Sequence, residues 1–332
     1  MTRRERVKAA LAHQKPDKVP VFIHLAHDAL VACHDRLWER YGRADMGRLR
    51  DEGKIEYRNA LYYSMGNHVC FLENFPWWDW KSIPAEYGAE DAPDFIPETV
   101  DRGSYENFAA SVRHLREHTD AYILVEIWTS DFEKAYNARG IQNFLADMAG
   151  EPEFAKRLLD FITEKNLEKL EQIVKTPGID GVLLGNDWGS QRDMLMSPAT
   201  WRELLAPGAK REYEVIREAG LDVWVHSCGN IRQIIPDLIQ MGVNVLNPVQ
   251  PECMEIRELK DTFGDRMTFW GGISTQQTLP FGTEAEVEAE TKAVAAYMGK
   301  DGGYLLAAAQ GIQSDVPFEN LCRLIDTASE IM

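Results

Sequence analysis

Short apolar runs rich in β-branched residues recur along the chain, each stopping at polar or glycine positions and each followed by a stretch of helical period. The runs cover residues 19–24, 68–72, 122–127, 181–185, 223–226, 243–247, 267–270 and 304–308. Near-continuous apolar strands alternating with helices predict a parallel sheet buried on both faces. Eight such units predict closure into a (β/α)8 TIM barrel, read as a single α/β domain over residues 1–332.

Helix signals fall between the runs. Thr2 with Glu5 and Thr283 with Glu286 have capping-box spacing, and Ser197 before Pro198 fits an N-cap followed by proline at the first helical position. Gly220 and Gly242 stand where helices end before the fifth and sixth strands. The stretch 73–97, with Trp77, Trp78 and Trp80 among several prolines, has no helical period and is long for a connection. It reads as an insertion after the second strand, either a flap packed by its own aromatics or a cover for the substrate.

Composition narrows the class. With 45% hydrophobic residues the chain can bury a large core, and its formal charge of −17 opposes binding to nucleic acid or anionic membranes. There is no signal-peptide pattern at the start and no apolar run of about 20 residues, so a cytoplasmic location is expected. The five cysteines, odd in number and scattered, fit reduced thiols rather than a disulfide framework.

In a barrel of this class the residues just past each strand converge at one mouth. Here those positions are polar or aromatic: His24, His27 and Asp28; Asn67 or Glu73; Glu126 and Trp128; Asn186, Asp187 and Trp188; His226 and Cys228; Asn247 and Gln250; Trp270, Ser274 and Gln276; Gln310 and Gln313. The sharpest group is VWVHSCGN (223–230), where His226 and Cys228 are two apart on an extended segment and point the same way. Imidazole and thiolate together suit zinc, whose catalytic sites take three protein ligands and keep one position open. Glu126, Glu252 and Gln310 are candidates by position for the third ligand, and the alternative is a core histidine beside an inert thiol. Asp187 or Glu126 would serve as acid, base or orienting carboxylate. Trp128, Trp188 and Trp270 would wall a planar substrate or simply pack.

Four segments, RRERVKAALAHQKPDKVPV (3–21), GNDWGSQRDMLMSPATWRELLAP (185–207), HSCGNIRQIIPDLIQMGVNVLNPVQP (226–251) and FWGGISTQQTLPFGT (269–283), resemble the uroporphyrinogen decarboxylase superfamily. The resemblance implies a (β/α)8 barrel. It also implies membership in a group that joins true decarboxylases, zinc-dependent corrinoid methyltransferases and aryl-ether O-demethylase methyltransferases. True decarboxylases carry an RQAGRY segment after the first strand and a Phe-Ser-Asp-Ile-Leu segment. Here those places read IHLAHDAL (23–30) and SMGNHVCFL (64–72), which leaves little to hold a polycarboxylate. His226 and Cys228 match the zinc pair of the methyltransferase branch, but that branch's second cysteine is missing from LLAAAQGIQ (305–313), leaving Gln310 or a carboxylate as third ligand.

The resulting expectation is a zinc-assisted methyltransferase that moves a methyl group between a small methylated substrate and a corrinoid on a partner protein. Its metal residues are His226, Cys228 and Gln310, and its acid or base is Asp187 or Glu126. Its substrate contacts are His24, His27, Asp28, Trp128, Asn186, Trp188, Gln250, Trp270, Gln276 and Gln313. A homodimer is compatible with this reading. A decarboxylase of a smaller acid and a non-catalytic ligand-binding barrel are the alternatives.

Overall fold

The structure is a computed structural model that describes residues 1–72 and 75–331. Glu73 and Asn74, which open the expected insertion, lie outside the described residues, as does Met332. In chain order the strands are β1 (Val69–Leu72), β2 (Trp77–Trp80), β3 (Thr99–Arg102), β4 (Tyr122–Ile127), β5 (Gly181–Gly185), β6 (Asp222–His226), β7 (Val245–Val249), β8 (Thr268–Ile273) and β9 (Tyr304–Ala308). All but β2 and β3 belong to one sheet, with helices following the strands, as the α/β barrel pattern requires. The chain forms two compact units.

The first unit comprises Met1–Phe71, Arg113–Leu124 and Asn244–Met332. Within it β7, β8 and β9 are parallel neighbours, with Phe269 opposite Tyr304 and Ile273 opposite Ala308. The first apolar run of the sequence forms only two parallel bridges, Val21 with Leu306 and Leu25 with Ile312, rather than a regular strand. The reason lies on its other side, where after one backbone bond, from the His68 N–H to the Val21 carbonyl at 2.8 Å, side chains replace the ladder. Asn67 accepts from the Ile23 N–H at 3.0 Å and donates to its carbonyl at 2.6 Å, and the Tyr62 hydroxyl accepts from the Leu25 N–H at 2.8 Å. The sixth run also shifts: β7 starts and ends two residues later than the pattern of 243–247 predicts, which places Asn247 inside the strand with its amide donating to the Trp270 carbonyl at 3.0 Å. Both expected capping boxes form, closing the starts of the helices Arg3–Leu11 and Glu284–Met298.

The second unit comprises Leu72–Val112 and Val125–Val243. Here β5 and β6 run parallel in register from Gly181 opposite Asp222 to Gly185 opposite His226. The tryptophan-rich stretch folds as β2, antiparallel to β3, with Trp77 opposite Arg102 and Trp80 opposite Thr99. Alternation buries Trp78 and Trp80 against the long helix Pro152–Ile173: Trp80 stacks on Phe161, and the Trp78 indole donates to Asn166 at 2.7 Å. The helix Ala206–Glu218 packs beside it and ends at Gly220, whose φ of +74° suits a residue without Cβ. No helix among the described residues is long and apolar enough to cross a membrane.

Candidate functional site

The densest chemistry of the second unit gathers where β5 and β6 end. Because Gly185 pairs with His226, the residues that follow them, Asn186 to Trp188 and Ser227 to Cys228, run side by side. The Asn186 N–H donates to the His226 carbonyl at 2.9 Å, the Cys228 N–H to the Asp187 carboxylate at 2.8 Å, and the Trp188 N–H to the Ser227 hydroxyl at 3.0 Å. These bonds turn three side chains toward one point. Asp187 Oδ1 lies 3.5 Å from His226 Nε2, and Cys228 Sγ lies 3.5 Å from the same nitrogen. The three donor atoms all fall within 4.8 Å of one another.

Electrostatics of the cluster follow from that geometry. Burial alone lowers the His226 imidazole, but hydrogen bonds to Asp187 and Cys228 outweigh it and raise the ring to about 10. Burial pushes the Asp187 carboxyl up, and its bonds from His226 and the Cys228 N–H pull it back below the ordinary carboxylate range. One imidazole nitrogen, one sulfur and one carboxylate oxygen form a donor set that fits zinc.

Trp128 adjoins this cluster, its ring meeting the His226 ring edge-on with centroids 4.9 Å apart. It also walls a cavity of about 310 Å³ lined by Trp77, Trp78, Glu126, Arg102 and Lys134. Lys134 is buried, sits 4.8 Å over the Trp78 ring, and shares the Asp79 carboxylate with Arg102. A polar pair overlooked in the sequence follows on the helix Phe132–Arg139. The Tyr136 hydroxyl donates to Glu133 at 2.8 Å, and burial, reinforced by the nearby Asp187 charge, raises the Glu133 carboxyl to about 7. Nothing marked Glu133, Lys134 or Arg102 in the sequence, since each reads there as an ordinary surface charge.

The remaining expected residues divide between roles. Trp188 is wholly buried against Trp201, and Asn186 is buried with its side-chain oxygen accepting from the Asp131 N–H at 3.0 Å. In the first unit His24 and Trp270 lie together, ring centroids 5.4 Å apart, and the fully buried Trp270 donates to the Phe22 carbonyl at 2.9 Å. Asp28 accepts from the Ser314 hydroxyl at 2.7 Å, Gln310 from the Gly311 N–H at 3.1 Å, and Gln250 is buried at the turn after β7. Gln276 is half-buried, and His27 and Gln313 are exposed. Glu252 accepts from the Ser274 hydroxyl.

A family model described as uroporphyrinogen decarboxylase (URO-D) matches residues 89–331, most of the chain. The chain belongs to the uroporphyrinogen decarboxylase family. All of the Asp187, His226 and Cys228 cluster lies within the matched segment. Among solved structures, this family member is similar to a methyltransferase from Methanosarcina mazei at a TM-score of 0.69 and 18% identity, over 99% of each chain. That likeness shows the shared fold. It is also similar to the 3-keto-D-glucoside 4-epimerase YcjR from E. coli, at 12% identity and a TM-score of 0.42 over 68% of this chain and 84% of that one. No curated protein matches the chain.

Proposed function

We propose that the chain is a methyltransferase that moves a methyl group between a small methylated substrate and a corrinoid carried by a separate protein, with zinc held by Asp187, His226 and Cys228. The observation that carries this reading is the convergence of three unlike donors, N, S and O, within 4.8 Å at adjacent strand ends. In this reading Asp187 takes the third position that the sequence left to Gln310 or a carboxylate. When bound, the metal supplies Lewis acidity toward the heteroatom that bears the methyl group. A single thiolate with a carboxylate donates less charge than two thiolates, so this donor set favours an oxygen or nitrogen heteroatom over a thiol.

The chain's own residues do the rest. Trp128 and the tryptophans of the cavity exclude water and orient the substrate beside His226. Glu133, held up near neutrality and bonded to Tyr136, keeps a proton within reach of the departing heteroatom. The test is metal analysis of protein purified without added zinc, together with Cys228→Ser and Asp187→Asn variants. About one zinc per chain, lost in both variants, supports the reading. Folded wild type that takes up no zinc even when it is supplied would sink the metal-assisted mechanism.

A decarboxylase of a small acid is the second reading, favoured by Arg102 and Lys134 in the cavity, which could hold a carboxylate. It predicts carbon dioxide release that is indifferent to chelators, whereas methyl transfer stops when the metal is removed.

A further inference from the structure

Lys134, in the second unit, is a buried charge with poor partners. It is 6% exposed; the Trp80 indole donates to its carbonyl at 3.0 Å, and its Nζ sits 4.8 Å over the Trp78 ring. An ammonium group carries three donors, and charge-assisted bonds to oxygen run at about 2.7–2.9 Å. Among the described residues Lys134 Nζ donates to the Trp78 carbonyl at 3.3 Å and to the Asp79 carboxylate at 3.5 Å. Both bonds are long, and a third donor is left over. Arg102 Nε lies 3.3 Å from the same carboxylate, so two cations share one anion and neither holds it closely. Burial pulls the Lys134 ammonium below its ordinary value, and the Asp79 carboxylate does not make up the loss.

Both cations line the cavity of about 310 Å³, whose apolar walls include Trp77, Trp78, Ile127 and Trp128. These walls are held from behind. Asn166 accepts from the Trp78 indole at 2.7 Å, and Trp77 stands directly opposite Arg102 in the β2–β3 pair, which puts both on one face. Glu126, the remaining charged residue of the lining besides Asp79, comes from β4, two residues before Trp128. Trp128 meets the His226 ring with centroids 4.9 Å apart. The cavity therefore has two loosely held cations on one wall and, on another, the tryptophan that adjoins His226.

We propose that this cavity binds a small monocarboxylic acid: Lys134 and Arg102 grip the carboxylate, Trp77 and Trp128 enclose the apolar body, and the far end of the acid lies on the His226 side. A carboxylate supplies the short acceptors that Lys134 lacks, and much of the desolvation it demands of the ammonium is already met in the folded chain. Glu126 sets a negative charge against a second acidic group on the ligand, which restricts the class to monocarboxylates. Lys134 is the specificity-determining residue. Binding of the acid is common to both readings of the reaction; that the acid is the methyl donor rests on the methyltransferase reading.

The test titrates the full chain with benzoate, with benzamide as its uncharged counterpart and with terephthalate as a dicarboxylate, by tryptophan fluorescence and calorimetry. Chelator is present throughout, so that no metal contributes. Benzoate should bind at least tenfold more tightly than benzamide and more tightly than terephthalate. Lys134→Met should lose at least tenfold in benzoate affinity while benzamide binds as before, Lys134→Arg should recover part of the loss, and Arg102→Gln should lose a few-fold. Benzoate that binds no better than benzamide, or does not bind at millimolar concentration, overturns the proposal, and so does undiminished benzoate binding in folded Lys134→Met. Terephthalate that equals benzoate overturns the restriction to monocarboxylates. Should Lys134→Met fail to fold, Arg102→Gln decides, since its side chain is 63% exposed and its loss spares the core: unchanged preference for benzoate over benzamide overturns the grip. Zinc uptake by the same protein keeps the two readings apart. A chain that takes up zinc and ignores benzoate sinks this pocket alone, and one that binds benzoate as expected but takes up no zinc sinks the metal-assisted mechanism alone.

Discussion

At the scale of single residues, if zinc binds as proposed, the proton on His226 governs its affinity. Metal ligands must shed their protons, and in the metal-free protein Asp187 and Cys228 hold the imidazolium up to about 10. Zinc should therefore bind at least tenfold more tightly at pH 8.5 than at pH 6.5 in calorimetric titrations, and equal affinities would contradict the proton competition. The same shift has a sign for folding. A histidine raised above its ordinary value of about 6.5 contributes stability that is complete below that value and is lost as pH rises through the raised one. Metal-free protein should thus lose thermal stability between pH 7 and 10, and a folded His226→Gln variant should lose less over that window. Sequence was sufficient to mark His226 and Cys228, because an H-x-C pair on an extended segment has one orientation. It could not say that Asp187 would lie beside the pair, because sequence spacing does not say which strand end faces which side chain.

At the scale of elements, the β5 and β6 ends touch through backbone, and that contact depends on glycine. A Cβ on Gly189 would stand 2.5 Å from the Cys228 carbonyl oxygen, and Gly229, at φ +78°, faces Gly189 from the other segment. Gly229→Ala should cost about 1–3 kcal/mol in denaturant unfolding and weaken zinc binding together with stability. Thr283→Ala, which removes a cap on the helix Glu284–Met298, should cost about 1 kcal/mol and leave zinc affinity as it was. A cap variant that disturbed the metal as much as Gly229→Ala would contradict this local account. Capping boxes and most strand positions were legible because each is written within a few consecutive residues. The irregular pairing of residues 21–25 was not, since it depends on Asn67 and Tyr62 some 37 to 44 positions away. Nor was the β2–β3 pair, which sets Trp78 and Trp80 against the long helix while Trp77 and Trp78 line the cavity.

For the whole molecule, the formal charge of −17 sets a self-repulsion that salt screens. Raising ionic strength from about 0.01 M to 0.15 M contracts the Debye length from about 30 Å to about 8 Å. The unfolding temperature should rise by a few degrees over that range, as read by differential scanning calorimetry, and a fall would mean that attractive pairs dominate the charge balance. What the sequence determined by itself was the class of fold, the helix caps and the H-x-C pair, since hydrophobic period, cap chemistry and near-neighbour geometry are local properties of a chain. What only the tertiary structure decided was which distant groups meet. It brought Asp187 to His226, set Trp128 against the imidazole, and buried Asp131 and Glu212. Such meetings depend on parallel register and on burial, which are properties of packed elements and are not carried by any one segment.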